Sequence, residues 1–390
     1  MQDKLNKVTQ PTQSLGILGG GQLGKFFTIA AQKMGYSVVV FDPDKQSPAG
    51  KIADKYICKP YDDLKALDEL KANCIAVTTE FENIPAETLQ YLEKDLIVRP
   101  KSKAVAIVQN RIKEKDFLTK LGIPVGQYIV IENLKSIKKI NNESKIFPAI
   151  LKTAQFGYDG KGQIHVNNIL ELEKAFLTFK SMSCVLEQKI DLDIEFSLVL
   201  ARSANDAYQE YPLIENHHES GILDYSLIPA RVSSSIKNES TKLAKKIAFD
   251  LNYVGVMAVE FFISNNKIYV NEIAPRPHNS GHFSIDACIF SQFDQQVLTL
   301  SGNEPKDKGM KFISSGMLNI LGDLWFRGSE QKDPLFEMVK GAGIEVHLYG
   351  KSEPRMGRKM GHITVLGSKD ETSSDIIRRL EDIRKTLWDN

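Results

Sequence analysis

One stretch restricts the fold of this chain more than any other: LGILGGGQLGKFF, residues 15–27, where an apolar run passes through closely spaced glycines into an amphipathic segment. Leu15 to Leu18 read as a strand, Gly19, Gly21 and Gly24 stand at G-x-G-x-x-G spacing, and Gln22 to Gly35 carry a helical pattern. That order opens a βαβ unit. Glycines let the backbone turn sharply and approach a phosphate, while the free N–H groups of a helix start offer hydrogen bonds and a positive dipole end. The next strand, Val38 to Phe41, ends in Asp42, where a dinucleotide enzyme holds a ribose hydroxyl. Two readings stay open here. One is a nicotinamide-type nucleotide site; the other is a turn whose glycines serve only the bend and close helix-to-sheet packing.

The alternation continues to Pro100, with LGIL, SVVVF, CIAVTT and LIV separated by helical patterns over Asp63–Asn73 and Ala86–Lys94. It predicts a parallel sheet with helices on both faces, ending near Arg99-Pro100, since the residue before proline leaves the helical region. A helical stretch over 101–121 follows. Residues 125–200 then carry strands around a glycine-rich loop and one helical segment, Leu170–Lys180. Further strands and an amphipathic helix, Lys237–Leu251, lead to VGVMAVEFFI-SNN-KIYVNEIA, which reads as a hairpin of two buried strands. Beyond Gly309, strands SGMLNIL, GIEVHLYG and GHITVLG and a helix, Asp375–Leu387, suggest a small β-rich unit. The expected division is 1–100, 101–309 with a smaller unit at about 125–200, and 310–390.

Composition narrows the function classes. Lys plus Arg number 50 against 49 Asp plus Glu, a net charge of +1, so nothing electrostatic calls for nucleic acid or an anionic membrane. The opening MQDKLNKVTQPTQS lacks an apolar signal-peptide core, no run approaches the roughly 18 apolar residues of a membrane span, and a cytoplasmic protein is expected. Cys58, Cys74, Cys184 and Cys288 lie far apart and form no C-x-x-C pair, which favours reduced, buried thiols over zinc or disulfides.

Four constellations carry chemistry. In ILKTAQFGYDGKGQ a strand ends in Lys152, and Gly157, Gly160 and Gly162 make a loop holding Tyr158, Asp159 and Lys161. Such backbone can wrap a triphosphate while a lysine neutralises it; a surface hairpin is the competing reading. Glu260 in VMAVEFF and Glu272 in VNEIA sit within apolar strands, where an unpaired carboxylate is costly. Facing strands can bring both to a hard cation such as Mg²⁺, with Asn271 adding an amide oxygen; the alternative is that each pairs with a lysine or arginine. In APRPHNSGH two prolines stiffen the backbone around Arg276, His278 and Asn279, a set suited to a small planar oxyanion. Zinc on His278 and His282 needs a helix that Pro277 makes awkward. Finally Lys351, Arg355, Arg358 and Lys359 crowd into nine residues, as a phosphate site or as a solvated basic loop.

Taken together, GGGQLG, TEFENIP, GYDGKGQ, YVGVMAVEFF, NEIAPRPHNSGH and GRKMGH resemble the ATP-grasp superfamily and, within it, the 5-(carboxyamino)imidazole ribonucleotide synthetase family. They stand in that family's order from Leu15 to the last helix. The resemblance implies an ATP-grasp fold, mixed α/β and α+β, with an N-terminal Rossmann-like domain and a small C-terminal β-rich domain. It implies that Arg111, Lys152, the loop Gly157, Tyr158, Asp159, Gly160, Lys161, Gly162 and Gln163, the segment Glu187, Gln188, Lys189 and Ile190, and Glu195, His218, Asn271 and Glu272 contact ATP. Glu260 and Glu272 match its Mg²⁺ ligands. Arg276, His278 and Asn279 match the loop that holds bicarbonate, with Tyr158, Asp159 and Lys161 near the reacting amine. Gln22, Leu23, Glu80, Lys351, Arg358 and Lys359 match residues that hold the ribonucleotide, so no nicotinamide is needed. Arginine is frequent in the family where Lys161 and Lys359 stand, which removes a bidentate fork at those points. The implied partners are small molecules and a second copy in a homodimer. The implied reaction is ATP- and bicarbonate-dependent carboxylation of 5-aminoimidazole ribonucleotide in purine biosynthesis. Its rivals are a formate-dependent glycinamide ribonucleotide transformylase, a nicotinamide oxidoreductase and a noncatalytic nucleotide sensor.

Overall fold

A computed structural model describes residues 8–141, 144–155, 157, 162–307, 309–326 and 332–389. Strand β1 (Ser14–Leu18) lies parallel to β2 (Ser37–Phe41) and to β4 (Ala76–Thr79), and β3 (Lys55–Ile57) and β5 (Ile97–Val98) complete a sheet of order β3-β2-β1-β4-β5. Leu15, Ile17, Val38, Val40, Phe41 and Val77 are excluded from solvent, as strands covered on both faces require. Each such side chain contributes about 1.5–3 kcal/mol, so apolar burial holds this sheet and the glycine turn only joins it to the helix Gln22–Lys33. Gly19 adopts φ +98°, which a side chain resists, and a Cβ on Gly24 would lie 2.6 Å from the Gly19 carbonyl. The turn needs its glycines for conformation and contact alone.

The stretch expected as one helix over 101–121 breaks in two, Ser102–Val108 and Arg111–Lys120. The cause is Asn110, whose side chain accepts from the N–H groups of Ile112 and Lys113 and so starts a new helix. Strands β6 (Tyr128–Ile131), β7 (Ala149–Thr153), β8 (Gln163–Val166) and β9 (Cys184–Gln188) form an antiparallel sheet of order β6-β9-β7-β8.

The third sheet is the largest. It comprises β10 (Ile194–Arg202), β11 (Tyr208–Glu210), β12 (Ile214–Glu219), β13 (Ile222–Ile228), β14 (Gly255–Ser264), β15 (Lys267–Ala274), β16 (Ser315–Leu321), β17 (Ile344–Leu348) and β18 (Lys359–Leu366). Its order is β15-β14-β10-β12-β13-β16-β18-β17, with β11 beside β10. The C-terminal strands therefore extend the central sheet through the β13–β16 pairing. Among the described residues these are the three sheets.

The hairpin β14–β15 turns through Asn265 and Asn266, both at positive φ, the geometry that suits a two-residue connection. Its register slips at Glu260/Phe261: Val259 faces Ile273 and Glu260 faces Glu272, but Phe261 faces Val270. Asn271 is thus the extra residue of a bulge. Val270 and Ile273 both stay in the core while Asn271 and Glu272 address the other face. Between the first and third sheets runs the helix Gln292–Leu300, buried along its whole length, with Phe293, Val297 and Leu300 packed against Phe26 and Phe27.

Candidate active site

The face of β14–β15 opposite the core gathers acid. Glu260 lies directly across from Glu272, and side chains opposed on one face of an antiparallel pair stand close enough to repel when both are charged. Burial first, and then Glu272, push the Glu260 carboxyl up to about 7. The donors around the pair are few. His278 Nε2 lies 3.2 Å from Glu260, the Asn271 amide donates to Glu260 at 3.4 Å, and Arg111 Nη1 reaches Glu272 at 3.0 Å. Glu272 therefore has the arginine bridge that competed with a cation site in the sequence, but Glu260 has no lysine or arginine among the described residues. Nearby, burial and the Glu272 charge push Glu114 up to about 8. The excess of carboxylates is the chemical condition for a hard divalent cation, and oxygen donors at Glu260 and Glu272 fit Mg²⁺, which takes one or two carboxylates together with phosphate oxygens.

A cationic wall faces this acid. Lys152, near the end of β7, bonds Glu187 Oε2 at 2.9 Å, and Lys115, almost fully buried, reaches Glu187 Oε1 at 3.6 Å while donating to the Asn271 carbonyl at 3.0 Å. Burial would raise Glu187, but Lys152 and Lys115 more than reverse it and hold the carboxyl at about 2. Residues 187–190 span the end of β9 in the small sheet and the start of the connection, 189–193, that leads to β10 of the large one. The Lys189 N–H donates to the Pro148 carbonyl and that of Gln188 to Gln127. Ile190 packs at Gly126. Glu195 bonds His218 Nδ1 at 2.5 Å, and this pair outweighs burial to raise the histidine. Gly157, Gly162 and Gln163 flank the glycine loop; Tyr158, Asp159, Gly160 and Lys161 lie outside the described residues.

The proline-stiffened loop stands beside the acids. Arg276 donates through Nε to Glu82. His278 is a buried ring that accepts at Nδ1, from the Ser280 N–H at 3.4 Å, with the Ser280 hydroxyl 2.8 Å away. Burial, then Arg276 and Lys359, hold it neutral. Behind it a buried chain continues from Ser280 to Ser197 at 2.8 Å, to Asn216 at 3.0 Å and to Ser226 at 2.9 Å. Asn279 turns inward instead: its amide exchanges hydrogen bonds with Asn319 at 2.7 and 3.0 Å, which anchors the loop to β16.

On the far side, Gln22 and Leu23 open the first helix, and Glu80 fills the glycine turn, accepting from the Gly21 and Gly24 N–H groups. The anion hole of the helix start is thus occupied by the chain's own carboxylate. Asp42 is engaged as well, taking the Gly20 N–H at 2.7 Å and the Tyr61 hydroxyl at 2.8 Å, so the dinucleotide reading loses its ribose acceptor. The basic loop closes over this turn: Lys351 donates to the Lys359 carbonyl at 2.7 Å, Arg358 to the Glu353 carbonyl at 2.6 Å, and Lys25 to Leu348 and Tyr349. Arg355 pairs outward with Glu353 at the surface.

Over 94% of its length this chain is 39% identical to an N5-carboxyaminoimidazole ribonucleotide synthase of Staphylococcus aureus, of which the match covers 96%. The chain belongs to the N5-carboxyaminoimidazole ribonucleotide synthase family. Within it, three family models match in sequence: a ribonucleotide synthetase preATP-grasp domain over residues 12–109, an ATP-grasp domain over 116–293, and a phosphoribosylaminoimidazole carboxylase C-terminal domain over 315–375. An ADP complex of a synthetase of this family superposes at TM-score 0.89 with 35% identity, covering 98% of both chains. The Aspergillus clavatus synthase solved with ADP and 5-aminoimidazole ribonucleotide superposes at 0.86 with 27% identity, covering 97% of this chain and 99% of the other.

Three features of this family member were not read from its sequence. Lys115 and Glu82 carried no signal of their own, since a lone charge in a helix or loop is usually solvated. A nest of rings, His282, His347 and His362 around Phe26, sits behind the proline loop. Asp286, His347 and His362 are the group of three among the described residues that approaches metal-ligand spacing. The rings of His347 and His362 stack 4.7 Å apart at 20°, however, and near-parallel rings cannot both aim an in-plane lone pair at one ion. His282 packs in this nest with Nδ1 on Gln292, and His278 faces Glu260, so neither supports zinc. No described helix is long and apolar enough to cross a membrane, and the four cysteines are unpaired.

Proposed function

We propose that this chain uses ATP and bicarbonate to carboxylate the amine of 5-aminoimidazole ribonucleotide, producing N5-carboxyaminoimidazole ribonucleotide, ADP and phosphate in purine biosynthesis. The observation that carries the reading is the placement of Glu260 opposite Glu272 beside the Arg276–His278 loop. Bicarbonate is a poor electrophile. One of its oxygens attacks the γ-phosphorus, the bond to ADP breaks, and carboxyphosphate forms; the amine then takes the carboxyl carbon, phosphate leaves with the bonding pair, and the amine proton passes to an acceptor, for which Asp159 is the candidate.

Phosphoryl transfer depends on alignment and charge more than on covalent help. Lys152 stands at a strand end to meet the phosphates, Arg111 starts a helix beside Glu272, and residues 187–190 seat the base between two sheets. Glu260 and Glu272 would hold Mg²⁺, which would supply charge neutralisation to the triphosphate. Arg276 offers planar donors to the oxyanion, neutral His278 orients Glu260 from a fixed ring through its Nε2–H, and Asn279 holds their loop in place. The ribonucleotide sits between the Glu80-filled turn and the basic loop, its hydroxyls toward Glu80 and its phosphate toward Lys351, Arg358 and Lys359. The same reading makes the protein a cytoplasmic homodimer.

Phosphate release from ATP, with and without 5-aminoimidazole ribonucleotide, while labelled bicarbonate is followed into product, tests this directly. Equal amounts of phosphate and fixed carbon are expected. Carbon taken from formate instead would establish the transformylase, and nucleotide binding without phosphate release would establish a sensor.

A further inference from the structure

Glu80 and Glu82 stand two residues apart in TEFENIP and point to different substrates. Glu80 fills the glycine turn on the ribonucleotide side. Glu82 turns to the proline loop and accepts from Arg276 Nε, in an ion pair that leaves both side chains about one-fifth exposed. Burial alone would raise the Glu82 carboxyl, but Arg276 beside it outweighs this and holds it below the ordinary range. A guanidinium so far removed from water needs such a counter-charge, and removing one partner leaves the other uncompensated.

The segment that carries both acids is fastened along its backbone. The Glu80 N–H donates to the Leu18 carbonyl at 3.0 Å. The Gln296 amide, from the buried helix Gln292–Leu300, reaches the Thr78 hydroxyl at 3.1 Å and the Thr79 carbonyl at 3.3 Å. The Gln109 amide donates to the Glu82 carbonyl at 2.5 Å and to that of Ile84. Arg276 is fixed at its other end too, between Pro275 and Pro277, with Nη1 on the Pro277 carbonyl at 3.1 Å. Among the described residues Nε and Nη1 are the engaged atoms, which leaves the Nη2 side of the fork for a planar anion.

We propose that Glu82 is a positioning residue that aims Arg276 at the carboxyphosphate oxyanion. This rests on the functional reading above. Misaimed, Arg276 stabilises the mixed anhydride poorly, and the anhydride is lost to water before the amine takes it.

The test compares wild type, Glu82→Gln and Glu82→Asp at saturating ATP, recording phosphate released and labelled bicarbonate fixed. Glu82→Gln is expected to lower kcat about 10- to 100-fold, to leave KM for ATP within about twofold, and to raise phosphate released per carbon fixed severalfold above the wild-type value. Glu82→Asp, which keeps the charge, is expected to fall between. An unchanged ratio in Glu82→Gln overturns the proposal, whether kcat is retained or falls together with ATP affinity and melting temperature, because the latter is a structural loss alone. If Glu82→Gln fails to fold, the ratio in Glu82→Asp decides in the same way. Wild type that fixes no carbon refutes the functional reading instead, a result distinct from an unchanged ratio in an active enzyme.

Discussion

Glu80 and Glu260 are both carboxylates largely withdrawn from water, yet the chain treats them in opposite ways. Glu80 is answered by the backbone: two N–H groups at the start of a helix meet it, and although burial pushes its carboxyl up, these bonds pull it part of the way back. Among the described residues Glu260 meets only neutral donors and faces another acid, and burial first and then Glu272 raise its carboxyl to about 7. A carboxylate satisfied by the fold can receive a neutral hydroxyl. An acid set against an acid calls for a cation from outside.

The comparison breaks most directly through the hairpin. Glu272→Ala is expected to reduce ATP cleavage by about a thousandfold or more, about 4 kcal/mol of barrier, measured as phosphate release. Near-normal turnover would remove the cation site. Glu260→Gln tests the same charge without catalysis. Burial and the facing Glu272 raise the folded carboxyl above the range of the free group, so its contribution to stability is full below the free group's value and is lost as pH rises through the raised one, toward about 7. In chelator, the melting temperature of Glu260→Gln should therefore gain on wild type between pH 5 and pH 8, and a constant offset would contradict the placement. Glu80→Gln keeps an acceptor for one N–H and should raise KM for the ribonucleotide about tenfold, with KM for ATP within about twofold; a reversed pattern would exchange the roles of the two sites. The smallest effect belongs to Ser197→Ala, which interrupts the buried chain behind His278. It should cost about 1–3 kcal/mol in urea denaturation, and no change would show the chain to be dispensable.

Much of this was legible residue by residue. The strand–glycine–helix opening, the alternating parallel unit and the SNN hairpin all follow from local pattern, and the structure has each of them. Even the bulge left a trace: Val270 and Ile273 are both apolar around the polar pair Asn271 and Glu272, out of phase for a regular strand. The break at Asn110 was also written in the sequence, as a capping residue inside a helical pattern. What could not be read was which charge meets which. Glu82 finds Arg276 across 194 positions, and Glu80 finds Gly21 across 59.

The sequence by itself determined the elements, because strand, turn and helix depend on neighbours within a few residues and on the apolar period they create. It also determined that two acids would share one hairpin. Only the tertiary structure decided that the glycine turn would be filled by Glu80, that Arg276 would be held from the turn after β4, and that Lys115 and Lys152 would share Glu187. Charge pairing acts through space between segments far apart along the chain, and its strength comes from the burial that packing creates.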